Sequence, residues 1–450
     1  MSRTDLYRRH LEVLHRDLAD ALERAGRKGL QLDGVLFHAG RPTTYHADDR
    51  EVIFYSTPHM RRWAPPLTGP DHVVLARPGK KPRVVRVRPQ DFWFEIAPPP
   101  PSYWEEAVEL SEVDRFEQVA GALGPLGKVA YVGSTPAAAA QLGIPPELVE
   151  PAALMAPLDW HRAAKTDLEA ELLLAAAEMA GNGHQRVKAA FEAGASEREM
   201  HWEFLRASNQ IERDVPYETI VCLDEKASIL HYQNKRGPEA APGKVLLLDA
   251  GAAYEGYAAD VTRTWARPQA DPVFHQLVNG MDALERSLVA MVTPGRPFLE
   301  IHLAANRGIA QLLAEGGIVN CSAEQALEAG VTRTFMPHGV GHHLGLQVHD
   351  VGGHQATPDG GKLAPPAEHP MLRNTRTLEP GHVVTIEPGL YFIPVLLEPF
   401  KATPAGKLVD WAVVERLIPM GGIRIEDNIL CTAGEPRDLT RAFIPGPRGT

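Results

Sequence analysis

The stretch KVLLLDAGAAYEGYAADVTRTW, residues 244–265, decides the fold of the C-terminal half of the chain. Two apolar runs flank the Gly-containing turn AAYEGY, which predicts an antiparallel hairpin. Asp249 ends the first run and Asp260 opens the second, although both runs are otherwise apolar. Because a hairpin of this length returns to its starting point, we expect the two carboxylates to meet.

Two more acids stand where acids are locally improbable. Glu387 in HVVTIEPG and Glu426 in GGIRIEDN each directly follow an Ile in an apolar strand-like run. One buried acid alone is usually a hydrogen-bonded structural residue. Four carboxylates within about 5 Å would repel by about 3 kcal/mol per pair at an effective dielectric near 20. Two divalent cations balance four such charges, so a two-metal site is favoured over one metal or an acid–base dyad.

Histidines cluster in MPHGVGHHLGLQVHDVGGH, residues 336–354. The five are His338, His342, His343, His349 and His354. The interleaved glycines predict a loop that carries side chains toward a site rather than an amphipathic helix. We expect one metal ligand here, with two or three neighbours that support the metals or contact substrate.

Outward from these motifs, the chain divides once. Leucines at helical spacing predict an opening helix over 5–25, and short strand-like runs follow it. A long Ala-rich helical stretch begins at Asp167, after the break at Pro157. We therefore predict a smaller α/β domain over 1–158 and an α+β domain over 159–450.

Composition excludes several classes of protein. The formal net charge of −11 argues against a nucleic-acid binder, which would normally carry a basic face. The three cysteines form no C-x-x-C pair, which favours a reducing compartment and argues against a thiolate metal site. No run is long and apolar enough to cross a membrane, and the charged N-terminus is unlike a secretory signal. We expect a cytoplasmic protein that binds neither nucleic acid nor membrane.

The motifs resemble those of the pita-bread metallopeptidases over about residues 160–435. The matching segments are LLLDAGAAYEGYAADVTRTW, PHGVGHHLGLQVHD, TIEPGLYF and GGIRIEDN. Within that family, IEPGLYFIPVLLEPF looks most like bacterial Xaa-Pro dipeptidases (prolidases), a group that includes organophosphorus acid anhydrolases. The resemblance implies a pita-bread catalytic domain, preceded by a smaller domain that caps the site or mediates dimerisation.

Carried over residue by residue, the resemblance implies a ligand set for two divalent ions. Asp249 would bind one metal, Asp260 and Glu426 would bridge both, and His342 and Glu387 would complete the coordination of the second metal. Oxygen donors dominate and no thiolate is present, so Mn²⁺ is favoured, while Co²⁺ and Zn²⁺ also fit.

The resemblance also implies a mechanism. A metal-bridging hydroxide would attack the scissile carbonyl, and Glu387 would pass the proton to the departing proline nitrogen. His338 and His349 resemble family residues that hydrogen-bond the tetrahedral intermediate or the substrate. The alternative is that both histidines only support the metal ligands.

Further residues are expected to recognise the dipeptide. Strand alternation puts Arg424 on the same face as Glu426, where it would either contact substrate or only neutralise the carboxylates. By resemblance, Arg373 and His231 bind the free C-terminal carboxylate and Tyr217 forms a wall for the first residue.

The N-terminal domain of a partner subunit could close the far end of the cleft in a homodimer. Asp48 or Asp49 would then bind the substrate's α-amino group, and Trp93 would pack on it. The ordinary alternatives are a solvated turn for the two aspartates and a core position for Trp93.

The sequence therefore predicts an Xaa-Pro dipeptidase, with organophosphate hydrolysis as a side activity. Two alternatives remain open. One is an aminopeptidase P, which acts on longer peptides with proline second. The other is a non-catalytic peptide-binding pita-bread protein, against which the complete ligand set counts.

Overall fold

The computed structural model describes residues 1–93, 103–239 and 242–447. The chain forms two compact units. The N-terminal unit comprises Met1–Ala170 and Gln355–Gly361, and the C-terminal unit comprises Glu171–His354 and Lys362–Thr450. The proposed domains 1–158 and 159–450 stay a prediction.

The N-terminal unit opens with an amphipathic helix that begins after the N-cap Ser2. Leu11, Leu14 and Leu18 lie on its buried face, as the helical spacing predicts. The helices of this unit are α1 (Arg3–Arg27), α2 (Pro58–Trp63), α3 (Val119–Leu123), α4 (Pro136–Gln141) and α5 (Ala152–Arg162). The strands are β1 (Gly34–His38), β2 (Val73–Ala76), β3 (Arg83–Val87), β4 (Glu109–Val113) and β5 (Val129–Val132).

These strands form one mixed sheet in the order β4-β3-β2-β1-β5. β1 pairs antiparallel with β2 and parallel with β5, while β3 pairs parallel with β4. Apolar side chains of the sheet, including Leu36, Val85 and Tyr131, pack with those of α3 and α4 in one core. The unit is thus a small α/β sheet domain.

The C-terminal unit contains the longer helices. They are α6 (Asp167–Ala193), whose first residues belong to the N-terminal unit, α7 (Glu197–Ala207), α8 (Pro272–Val289), α9 (Phe298–Glu315), α10 (Ala323–Glu328), α11 (Thr332–Phe335), α12 (Pro394–Phe400) and α13 (Trp411–Leu417). The apolar faces of α8 and α9 pack with the central strands in the largest core of the molecule. The mixture of helices and strands confirms the predicted α+β class.

The remaining strands form short antiparallel sheets, all but one of them in the C-terminal unit. The strands are β6 (Ile220–Leu223), β7 (Val245–Asp249), β8 (Ala253–Tyr254), β9 (Tyr257–Ala258), β10 (Thr262–Ala266), β11 (Gln355–Thr357), β12 (Gly360–Lys362), β13 (Val383–Ile386), β14 (Gly389–Tyr391), β15 (Gly422–Arg424), β16 (Asp427–Leu430) and β17 (Arg437–Asp438). β6, β7 and β10 form one sheet, and β13, β16 and β17 form another. The hairpin β11–β12 lies largely in the N-terminal unit.

The predicted hairpin is present, with Asp249 opposite Thr262 where β7 pairs with β10. An isolated bridge between Thr262 and Glu426 joins this sheet to the chain between β15 and β16. Asp249, Asp260 and Glu426 therefore approach one another where the two sheets meet. Among the described residues, no helix is long and apolar enough to cross a membrane.

Candidate metal centre

Two of the candidate ligands lie where the chain passes from one sheet to another. β13 pairs with β16, whereas the strands that follow β13 and precede β16, β14 and β15, pair with each other in a separate sheet. Glu387 lies in the break between β13 and β14, next to Pro388, which cannot donate to a ladder. Glu426 lies in the matching break between β15 and β16. Because neither residue is part of a strand, both side chains can turn into the same cleft.

The histidine-rich segment reaches this cleft because it runs beside β13. His343 forms an antiparallel bridge with Val384, and the Thr385 N–H donates to the carbonyl of His342 at 2.9 Å. Gly341 allows this approach, since a Cβ there would lie 1.9 Å from the Thr385 carbonyl oxygen. His342 is thereby fixed against the sheet.

All five proposed ligands line one cleft of about 170 Å³ in the C-terminal unit. His342 Nε2 lies 3.4 Å from Asp260 Oδ2 and 3.8 Å from Glu387 Oε1. Asp260, His342 and Glu426 offer donor atoms within 4.8 Å of one another, close enough to hold a metal ion. The residues that line the cleft are Leu230, His231, Asp249, Asp260, Pro337, His338, Gly339, Gly341, His342, His349, Met371, Arg373, Glu387, Arg424 and Glu426.

The orientation of His342 suits a metal ligand. Its Nδ1 donates to the backbone carbonyl of His343 at 2.9 Å, which turns Nε2 toward the carboxylates. Although burial lowers the pKa of His342, the hydrogen bond and charge of Asp260 outweigh it and raise that pKa. Nε2 is therefore directed into the carboxylate cluster, where it would give up its proton to bind a metal ion.

Burial and mutual repulsion shift the carboxylates in the direction expected of a cation site. Burial raises the pKa of Glu387 to about 7, and the charges of Asp260 and Asp249 add to that effect. Burial and the other three carboxylates raise the pKa of Glu426 well above its usual range. Burial also raises the pKa of Asp249, whereas the hydrogen bond from His342 lowers that of Asp260. Four acids and one imidazole with these pKa values fit divalent cations.

Arg424 balances part of this charge. Its guanidinium donates to Asp249 Oδ2 at 2.6 Å, to Tyr391 Oη at 2.9 Å and to Thr262 Oγ1 at 3.0 Å. The Thr262 hydroxyl in turn donates to Glu426 Oε2 at 2.6 Å. Arg424 is 5% exposed, so its contacts in this structure are with the protein rather than with the open cleft.

Sequence reasoning did not single out Thr262 or Tyr391. The Tyr391 hydroxyl accepts from Arg424 and lies 2.9 Å from His338 Nε2. His338 Nδ1 donates to the Gly339 carbonyl, so the tyrosine donates to Nε2. For Tyr391, the signal available in the sequence was the glycine pair Gly421–Gly422. In the structure a Cβ at Gly422 would lie 2.5 Å from the Tyr391 ring, so only glycine lets the ring pack this closely against the chain.

The five clustered histidines separate into two groups. His338 and His349 line the cleft with His342, and the His349 ring lies 4.4 Å from that of His342. His343 packs its ring 4.7 Å from that of His382. His354 Nε2 lies 2.8 Å from the Leu372 carbonyl, next to Arg373.

Basic side chains outside the histidine-rich segment also line the cleft. His231 and Arg373 are both exposed and line it, and their charges help to lower the pKa of His349, which burial depresses to about 4. Tyr217 lies outside the cleft lining, where burial and the charges of Asp249 and Asp260 raise its pKa.

The remaining candidates belong to the N-terminal unit. Asp48 and Asp49 are exposed, and Asp48 Oδ1 accepts from the Arg50 N–H at 3.2 Å in a turn. Trp93 is 75% exposed, so the alternative that it occupies a core position is wrong. Its role in substrate binding stays a prediction.

Two family models match the chain, one in each unit. Residues 171–433 match the family model "Metallopeptidase family M24". The chain belongs to metallopeptidase family M24. Residues 5–160 match "Xaa-Pro dipeptidase, N-terminal domain". M24 membership confirms the expected pita-bread catalytic domain and metal-dependent peptidase class, with a divalent metal site at the Asp/His/Glu cluster.

Curated relatives match over nearly the whole chain. The Xaa-Pro dipeptidase of Shewanella amazonensis is 41% identical over 97% of this chain and 98% of its own length. That of Pseudoalteromonas atlantica is 38% identical over the same shares. Among solved structures, Pseudomonas aeruginosa aminopeptidase PepP superposes with a TM-score of 0.71 at 20% identity, covering 99% of this chain and 96% of its own. Zn-substituted Escherichia coli aminopeptidase P with product gives 0.72 at 23%, covering 100% and 97%. At that identity the structures show the shared fold alone.

Proposed function

We propose that this M24 peptidase is a Mn²⁺-dependent dipeptidase that hydrolyses Xaa-Pro dipeptides. The observation that carries the proposal is a single cleft lined by five proposed metal donors and by the basic side chains of His231 and Arg373. A dipeptide presents a carboxylate one residue from its scissile bond, so the metal donors suit the scissile bond and the basic side chains suit the carboxylate. Full-length relatives named Xaa-Pro dipeptidase support the same substrate.

Each donor has a proposed role in holding two ions. Asp249 would hold one metal, His342 and Glu387 would hold the other, and Asp260 and Glu426 would serve both. The donor set of carboxylates with one imidazole and no thiolate favours Mn²⁺, with Co²⁺ and Zn²⁺ also suitable. Bound ions would polarise the scissile carbonyl and acidify the attacking water.

Glu387 is the proposed proton carrier. Its carboxylate lies in the cleft with Oε1 3.8 Å from His342 Nε2, where it could take up the proton of the attacking water. It would deliver that proton to the departing proline nitrogen. His349, beside His342 in the cleft, is proposed to hydrogen-bond the substrate carbonyl oxygen. His338 is proposed to do the same after releasing Tyr391.

Recognition of the substrate ends is assigned to separate groups. We propose that Arg373 and His231 bind the C-terminal carboxylate. Arg424 holds Asp249 in place, and any direct substrate contact would be secondary to that role. Tyr217 is proposed as a wall for the first residue.

The far end of the cleft is proposed to be closed in a homodimer. Asp48 or Asp49 of a partner subunit would bind the α-amino group, and the partner's Trp93 would pack on the substrate. The exposure of all three side chains supports this role.

The test is metal-dependent release of proline. Protein stripped with a chelator should not act on Ala-Pro or Leu-Pro, and Mn²⁺ should restore hydrolysis of both. Ala-Ala is the matched substrate without proline and should be turned over poorly. Absence of proline release by metal-loaded protein would refute the proposal.

The aminopeptidase P alternative is motivated by the fold shared with PepP and aminopeptidase P. It predicts faster cleavage of the tripeptide Arg-Pro-Pro than of Ala-Pro. Organophosphate hydrolysis stays a prediction, to be measured with diisopropyl fluorophosphate after metal loading.

A further inference from the structure

A buried carboxylate outside the cleft, Glu197, connects to the segment that carries His231. Glu197 is the first residue of α7, directly after the N-cap Ser196. The exposed Glu199, two residues further on, closes the helix cap in a capping box with Ser196. Glu197 has 0% exposure and takes no part in that cap, so its burial needs another explanation.

The Glu197 carboxylate accepts four hydrogen bonds. Oε1 accepts from the Leu223 N–H at 2.9 Å and from Arg236 Nε at 3.1 Å. Oε2 accepts from the Tyr232 hydroxyl at 2.9 Å and from the Arg236 N–H at 2.7 Å. One side chain therefore joins the end of β6 to two points of the segment 229–236.

This segment contains neither a helix nor a strand, so no ladder of backbone hydrogen bonds holds it. His231 is exposed and lines the cleft, whereas the adjacent Tyr232 is 5% exposed. The Tyr232 ring packs with Cys222, Leu247 and Tyr391. Tyr232 thus fixes the backbone from the buried side while His231 points to the cleft.

Arg236 closes the other end of the segment. Its Nη2 donates to the Leu223 carbonyl at 2.8 Å, and its backbone carbonyl accepts from the Arg198 N–H at 3.1 Å. The guanidinium also supplies the positive charge that a carboxylate without solvent contact requires. Leu223, Tyr232 and Arg236 therefore depend on the same buried group.

We infer that Glu197 is a positioning residue for recognition of the substrate's C-terminal carboxylate. It touches no substrate, and it acts by holding His231 through Tyr232 and Arg236. The inference rests on the proposed dipeptidase function, in which His231 and Arg373 bind that carboxylate.

The test compares two substrates that differ only in the carboxylate, Ala-Pro and Ala-prolinamide. Glu197→Gln keeps the shape but removes the charge and half of the acceptor capacity. KM for Ala-Pro should rise about tenfold with kcat changed less than about twofold, the pattern of a lost binding contact. Turnover of Ala-prolinamide should stay at the wild-type value. A merely structural defect would lower turnover of both substrates together.

Glu199→Gln is the matched control, because it is the same change on the same helical turn without contact to the His231 segment. It should leave both substrates unaffected. Tyr232→Phe removes a single hydroxyl and keeps the ring, so it should raise KM for Ala-Pro by about threefold even if Glu197→Gln does not fold.

An unchanged KM for Ala-Pro in folded Glu197→Gln, or in Tyr232→Phe, would overturn the inference while leaving the function intact. An equal loss on both substrates would also overturn it. Failure of the wild-type protein to cleave Ala-Pro at full metal loading would instead refute the function beneath it.

Discussion

At the scale of single residues, the cleft concentrates negative charge that its neighbours do not fully balance. Asp249, Asp260, Glu387 and Glu426 lie together, and Arg424 is the buried guanidinium among the described lining residues. Buried carboxylates in this arrangement repel unless cations or protons are bound. The metal-free protein therefore holds protons where the metal-loaded protein holds ions.

Asp260 provides the first prediction. Asp260→Asn keeps the shape but removes an oxygen donor that would serve both metals. Bound metal should fall below two ions per chain, and kcat/KM for Ala-Pro should fall at least a hundredfold, since even groups that only support ligands cost about 10–100-fold. Elemental analysis and proline release measure both effects.

Glu328→Gln, the same type of change at an exposed position, should behave as wild type. Full activity of Asp260→Asn would show that the wrong carboxylate has been assigned as a bridge.

The raised pKa of Glu387 predicts how stability depends on pH. Its folded pKa of about 7 exceeds the ordinary value of 4.5, so the metal-free protein loses stability as pH rises across that interval. At about 1.4 kcal/mol per pKa unit, this one group accounts for about 3 kcal/mol. Bound metal replaces the proton and should remove the loss. Saturating Mn²⁺ should therefore raise Tm more at pH 8 than at pH 5.5.

Scanning calorimetry with and without Mn²⁺ at both pH values measures this difference, with Mg²⁺ as a salt control. An equal rise in Tm at pH 5.5 and pH 8 would contradict the assignment.

Some of these residues can be recognised in the sequence and others cannot, for a physical reason. An acid in an apolar strand or a run of histidines is chemically conspicuous, so the five proposed ligands can be picked out from the sequence. Thr262 and Glu197 give no such signal, because a threonine is common in strands and a glutamate is common in the first turn of a helix. Only the folded contacts reveal that each joins a functional group to a second element.

At the scale of elements, the breaks between strands position two of the proposed metal ligands. The segments HVVTIEPGLYF and GIRIEDNIL each read as one strand in the sequence. In the structure each is divided between two sheets, and Glu387 and Glu426 occupy the breaks. Alternation along a strand cannot predict such a change of partner, because it depends on which strands are adjacent in space.

Gly341 tests how the histidine segment is held against β13. In Gly341→Ala the new methyl group would meet the Thr385 carbonyl oxygen and push the segment away from the strand. We expect a loss of about 3 kcal/mol in stability and weaker metal binding, since His342 moves with the backbone. Thermal unfolding and isothermal titration with Mn²⁺ measure the two effects.

Gly434→Ala is the matched control, because the nearest atom to its new Cβ is 3.9 Å away. Wild-type metal affinity in Gly341→Ala would mean that His342 is not held by this contact.

At the scale of the whole molecule, the N-terminal unit is proposed to limit substrate length. Trp93→Ala removes an exposed ring and should not affect folding. The ratio of kcat/KM for Ala-Pro to kcat/KM for Ala-Pro-Ala should fall by about tenfold, because an aromatic contact at the closed end would be lost. Trp202→Ala, at an exposed tryptophan of the C-terminal unit, should leave that preference unchanged.

Competition between the two peptides, followed by mass spectrometry, measures the preference directly. Light scattering on the same samples tests the proposed homodimer. An unaltered preference in Trp93→Ala would exclude this tryptophan from length selection.

The overall architecture was predictable because the catalytic motifs are long and specific. The α+β class and the smaller N-terminal α/β sheet both follow from the sequence. The sequence does not predict that Gln355–Gly361 belongs to the N-terminal unit. A short polar hairpin carries no pattern that specifies its packing partner.

The most direct test of the central claim is a titration of metal-free protein with Mn²⁺, in which bound ions and Ala-Pro turnover are measured on the same samples. Activity should rise with occupancy and reach its maximum at two ions per chain, and Ala-Pro should then be cleaved faster than Ala-Pro-Ala. Full activity at one ion per chain, or no proline release at two, would contradict a two-metal dipeptidase.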